Sequence, residues 1–85
     1  LPNGSVHESS GGLRFILTNH AIERMAKRNV SVSDVAIILD TYDIFHTDRV
    51  GNPCFMKTLQ DGRTIRVVIA KESSPWLVVT VVALD

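Results

Sequence analysis

Eighty-five residues with zero formal net charge suit one small domain, and that balance supplies no general attraction to a polyanion. With 45% hydrophobic and 21% charged residues the composition is that of a globular chain, and no apolar run reaches the roughly 20 residues of a membrane helix. A single cysteine, Cys54, excludes an internal disulfide framework and a cysteine-based zinc site.

Residues 1–12, LPNGSVHESSGG, are rich in Gly, Ser and Asn and aperiodic, which predicts a flexible linker or tail. No basic segment followed by an apolar one marks a signal peptide there. LRFIL (13–17) predicts a short strand. Thr18 or Asn19 then caps a helix that carries Ile22, Met25, Ala26 and Asn29 on one side, with Ala21 at its margin. His20, Glu23, Arg24, Lys27 and Arg28 occupy the other side. Asn29 suits a left-handed terminus. SVSD (31–34) reads as a capping box with Asp in its last place, and opens a second helix with Val32, Val35, Ile38, Leu39 and Tyr42 on one face.

The period then changes to two. IFHTDR (44–49) predicts a strand and VGNP (50–53) a turn; CFMKTLQ (54–60) and RTIRVVIAK (63–71) flank Asp61-Gly62, a strong hairpin signal. ESSP (72–75) is a longer turn, and WLVVTVVAL (76–84) is the last strand. The order β-α-α-β-β-β-β predicts an α+β domain over residues 13–85, with two helices packed on a twisted antiparallel sheet.

A two-residue turn at Asp61-Gly62 sets Lys57 opposite Arg66 and puts Cys54, Met56, Ile65, Val67 and Ile69 on the core face. Like charges directly opposite cost stability, so the pair invites an anionic ligand. If Ala70 pairs with Trp76, Thr80 joins them in a polar row able to cradle a phosphodiester; a slip of one residue moves Thr80 to the core face. His20 and Arg24 are neighbours one turn apart, which suits a general acid/base beside a phosphate clamp or, equally, a solvated helix face. The macrodipole at a helix start disfavours an imidazolium. His46 reads as a structural strand residue, His7 lies in the tail, and Cys54 points to the core. No His, Asp or Glu set has metal-ligand spacing, and there is no Gly-rich nucleotide loop.

HAIERMAKR, then VSVSDV, DGRTIRVVIA and a terminal VVTVVALD, resemble a bacterial domain family with the pattern HAxxRMxxR and later GRx(L/I)(H/R)VV and TVY segments. The match spans about residues 15–85. The layout is also similar, by topology, to RelE/ParE-type toxins and to the RNase domains of contact-dependent inhibition proteins. This resemblance implies a metal-independent endoribonuclease toxin without a cofactor, acting in the bacterial cytoplasm on tRNA or another RNA. It also implies delivery as the C-terminal part of a larger secreted effector, and neutralisation by an immunity protein or antitoxin with an acidic surface. Carried onto this chain, it singles out His20, Arg24, Arg66 and Thr80 as catalytic; the hairpin register adds Lys57, and the polar side of the helix Lys27 and Arg28, as RNA-binding cations. Val82 stands where members commonly carry tyrosine. The alternative is a non-catalytic, ParE-like toxin or interaction module that acts by binding a protein.

Overall fold

The computed structural model describes residues 5–84. Its elements are β1 (His7–Glu8), β2 (Arg14–Leu17), α1 (Asn19–Arg28), α2 (Val32–Thr41), β3 (Ile44–Thr47), β4 (Pro53–Thr58), β5 (Thr64–Ile69) and β6 (Trp76–Leu84). The strands form one sheet in the order β1-β2-β6-β5-β4-β3. Both helices pack on one side of it, α1 over β6 and α2 over β4 and β5. The α+β class and the order of elements agree with the sequence reading. The sheet is mixed, however, because β2 and β6 run parallel, with Phe15 beside Trp76 and Leu17 beside Val78. After β2 and the helices, the chain re-enters the sheet at its far edge, as β3. It then returns strand by strand until β6 reaches β2 in the same direction.

The helix termini follow the local chemistry. Thr18 accepts the Ala21 N–H at 3.0 Å, satisfying one orphan donor of α1. Asn29 ends the helix at φ 56°, in the left-handed region that Asn tolerates. Ser31 and Asp34 close a reciprocal capping box on α2, each bond 3.0 Å long. The buried stripe of α1 is rotated from the expected one: Ala21 and Met25 are buried, Ile22 is half-buried and Ala26 is exposed. On α2, Val35, Ile38 and Leu39 are buried as expected, while Val32 and Tyr42 at its ends are exposed.

The β4–β5 hairpin departs from prediction in one consequential way. Leu59 N–H donates to the Arg63 carbonyl and Gly62 N–H to the Leu59 carbonyl, and Gly62 has φ +92°. The loop therefore holds three residues, a tight turn ending in a left-handed glycine, and not two. Lys57 pairs with Ile65, and Met56 with Arg66. A one-residue change of register exchanges faces, so the expected opposition of Lys57 and Arg66 does not exist. Phe55, Ile65, Val67 and Ile69 join the helices in the core, and Cys54 turns to the other face. On β6 a bulge between the Val68 and Ile69 pairings lets Val78 and Val81 both reach the core. Arg66 pairs with Val82 and not with Thr80; Thr80 sits opposite Val68.

From His7 on, the stretch predicted to be a flexible tail belongs to the domain. His7 and Glu8 pair with Phe15 and Arg14. Ser9, a buried polar residue, donates to Asp40 on α2 at 2.7 Å. A Cβ on Gly11 would stand 2.7 Å from that same carboxylate, which would have to shift from its bonds to Ser9 and Gly11. Residues 1–4 lie outside the described residues.

Candidate functional site

The sheet has a second face, and no helix among the described residues covers it. Strand alternation places Cys54 and Met56 of β4, Arg66 and Val68 of β5, and Thr80 and Val82 of β6 on that face. β3 adds Ile44 opposite Met56 and His46 opposite Cys54. Two cross-strand rows result: His46, Cys54, Val68, Thr80 and Ile44, Met56, Arg66, Val82. Outward faces of antiparallel sheets are ordinarily polar. This one is largely apolar, with Arg66 as the cation in its middle.

Arg66 is half-buried, and its Nε is buried without any hydrogen-bond partner. Neither ion pair among the described residues includes it: those are Lys57–Asp43 and Arg63–Asp61. A buried guanidinium donor without an acceptor costs about 1–3 kcal/mol and is suited to an incoming anion. Its charge lies close to Cys54. Burial pushes the Cys54 thiol above its ordinary range, Asp48 adds to that, and Arg66 opposes it. The guanidinium is thus felt across the strand toward β4.

The other sequence candidates fall elsewhere. Thr80 shares the open face and is the diagonal neighbour of Arg66, at a separation of roughly 7–8 Å. His20 and Arg24 lie on α1, on the flank of its buried stripe away from Ile22 by helical geometry. Their side chains make no hydrogen bond or ion pair among the described residues. The start of α1 is nonetheless fixed against β6: Thr18 Oγ1 donates to the Val79 carbonyl at 3.2 Å, immediately before Thr80. β2 ends beside Val78, so the next stretch of β6 carries the first turn of α1 at its rim. The structure therefore brings Arg66 and Thr80 together on one face, while α1, which carries His20 and Arg24, packs on the opposite side with its start tied to the Val79 carbonyl.

Lys57 is on the helix side of the sheet, where its Nζ donates to the Thr41 carbonyl at 3.0 Å and pairs with Asp43. It serves the C-terminal end of α2 and is not a neighbour of Arg66. The groove of about 540 Å³ between α2 and the hairpin has Lys57 as its cation, beside Asp34 and Asp61, and is poorly suited to an anion. Lys27 and Arg28 form the exposed last turn of α1, where cations offset the helix dipole. Arg63, unremarked in the sequence reading, donates to the Arg28 and Asn29 carbonyls at 2.7 and 3.1 Å and ties the hairpin to the end of α1. No group of three or more His, Cys, Asp or Glu is arranged to hold a metal ion among the described residues. No helix among them is long and apolar enough to cross a membrane.

The edge strand β3 is exposed on both faces, with Ile44 55% and Phe45 50% accessible. Phe45 stands against Phe55 and Tyr42, with ring centroids 5.2 and 6.3 Å apart.

A family model described as a domain of unknown function, DUF4258, matches residues 17–83. No curated protein and no solved structure matches the chain.

Proposed function

We propose, for a chain that belongs to the DUF4258 family, that the domain is a metal-independent endoribonuclease toxin. The observation that supports this most is the Arg66 guanidinium, whose Nε is buried and unpartnered on an uncovered sheet face. A guanidinium with an unpaired donor is suited to a charge-assisted bond with a phosphate. The kinship with RelE/ParE-type toxins and with contact-dependent inhibition RNases belongs to the same reading, as do cytoplasmic action and delivery within a larger secreted effector.

In this mechanism the RNA 2′-hydroxyl attacks the adjacent phosphorus, and His20 takes its proton from the rim of β6. The bond from phosphorus to the 5′-oxygen breaks, that oxygen takes a proton from water, and His20 returns its proton to solvent. The products are a 2′,3′-cyclic phosphate and a 5′-hydroxyl. Arg66 and Arg24 offset the charge that develops on the phosphorane, and Thr80 orients the phosphate. Lys27 and Arg28 steer the RNA. Lys57, already committed to Thr41 and Asp43, has no part in the chemistry. An immunity protein or antitoxin with an acidic surface would neutralise the domain by covering the same guanidinium.

Purified domain incubated with total RNA and with tRNA tests this reading. Fragments ending in cyclic phosphate are expected, and Arg66→Ala is expected to slow their formation by roughly 10²-fold. His20→Ala should fold normally and lose both cleavage and toxicity. Full toxicity in both variants would remove these residues from the site.

A second reading, a toxin that acts by binding a protein, draws on the exposed edge strand with Ile44 and Phe45. Unpaired apolar edges are templates for association. Intact RNA at every domain concentration, together with growth arrest on expression, would favour it.

A further inference from the structure

Resting on the ribonuclease reading, we propose that His46 belongs to the phosphate site and contacts the RNA phosphodiester jointly with Arg66. The register carries the argument. His46 is directly opposite Cys54 on the open face, and Cβ atoms so paired lie roughly 4.5–5.5 Å apart. Arg66 lies one row along, opposite Met56, and Cys54, with 1% of its surface accessible, is the buried residue diagonal to it, a floor and not a barrier. Phe45, the preceding residue, points to the other face, against Phe55 and Tyr42. That packing fixes the direction in which His46 projects.

The ring of His46 is held in a usable orientation. Its Nδ1 lies 3.3 Å from the Thr47 carbonyl oxygen. A carbonyl can only accept, so this contact places the hydrogen on Nδ1. Nε2 has no protein partner among the described residues. It can accept a proton when the ring is neutral, or donate to a phosphate oxygen when the ring is protonated. Asp48 is the nearby opposing charge, but its oxygens accept from Val50, from the Asn52 backbone and from the Asn52 side chain. The adjacent Arg49 side chain is exposed and unpaired among the described residues, and offsets that carboxylate for an approaching anion. On the open face His46 thus lies across β4 from the strand that carries Arg66.

The chain has three histidines, so each imidazole can be followed separately by NMR in the full chain. Inorganic phosphate is titrated first, then a 2′-deoxy dinucleotide that cannot be cleaved. The His46 ring signals should shift saturably with both ligands, and Arg66→Ala should abolish the shift. In cleavage assays His46→Gln should weaken substrate binding about tenfold or more, with unchanged thermal stability. A shift confined to His20, or no saturable shift in any histidine, would overturn the assignment. Cleavage with unchanged kcat and KM in His46→Gln would also overturn it while leaving the ribonuclease reading intact. A saturable His46 shift in a protein that cleaves no RNA would uphold the phosphate site and reject the ribonuclease.

Discussion

On one face of the sheet, β2, β4, β5 and β6 supply Phe15, Leu17, Phe55, Ile65, Val67, Ile69, Val78 and Val81 to a closed core. On the other, β3, β4, β5 and β6 carry His46, the buried Cys54, Arg66 and Thr80 on the face away from the helices. The difference arises from alternation alone. Ile65 and Arg66 are consecutive, yet Ile65 is fully buried under the helices, while Arg66 keeps a buried donor without a partner. Among the described residues the one buried side-chain polar atom without a partner lies on the second face.

Breaking each face in turn tests that contrast most severely at this pair. Ile65→Ala should destabilise the fold by about 2–5 kcal/mol, the cost of lost burial plus a cavity. Arg66→Met should leave stability unchanged or raise it by about 1 kcal/mol, because it removes an unsatisfied donor from apolar surroundings. Urea denaturation of both variants gives the comparison. A loss in Arg66→Met as large as that in Ile65→Ala would mean that Arg66 is part of the framework, and the distinction between the faces would fail.

Thr18 joins the two faces, since it caps α1 above the sheet and fastens the helix start to the Val79 carbonyl beside Thr80. Thr18→Ala should cost about 1–2 kcal/mol and loosen the first turn, where His20 lies. Thr18→Ser should recover most of the loss. The sharper readout is hydrogen exchange at Ala21, whose N–H Thr18 accepts. Unchanged protection there in Thr18→Ala would show that the cap does not hold the helix start.

Much of this fold is legible in the residues because its signals are local. Thr18, Asn29, and the Ser31 and Asp34 pair each act within one helical turn, and the structure uses all of them. Non-local facts are not legible in the same way. Nothing in LRFIL or WLVVTVVAL announces that these strands pair parallel, and the apolar run from Trp76 hides a bulge. The hairpin is the instructive case. Asp-Gly serves a two-residue loop and also ends a three-residue loop, so the dipeptide identifies the turn without setting its length. The large side chains hold the better clue. Only the longer loop puts Phe55 with Ile65, Val67 and Ile69 in the core and leaves the smaller Cys54 outside. Arg66 and Thr80 were legible as site candidates because both registers keep them on one face. His46 was not, because its place on that face depends on which strand lies beside β4.

The hairpin supports a smaller prediction. Gly62 at φ +92° lies where a side chain is strained, so Gly62→Ala should cost about 1 kcal/mol. A Cβ there meets nothing within 4 Å, so the loss would come from the backbone alone and not from a clash. Gly62→Asn, which tolerates positive φ better, should lose less. Equal losses in the two variants would contradict the left-handed assignment at this loop.

The smallest effect concerns the floor of the open face. Burial is the main cause raising the Cys54 thiol above its ordinary value of 9.0. An unfolded thiol ionises first as pH rises, so the unfolded state then binds fewer protons than the folded one. Stability from the neutral buried thiol is fully present below about pH 9 and is lost as pH climbs through the folded value. Denaturation midpoints measured from pH 7 to above pH 10 should fall for the parent chain. The fall should be shallower in Cys54→Ala, which has no thiol to titrate. The difference between the two curves isolates Cys54 from lysine and tyrosine titration in the same range. Parallel curves would mean that Cys54 is open to solvent, and the floor between His46 and Arg66 would then be a gap.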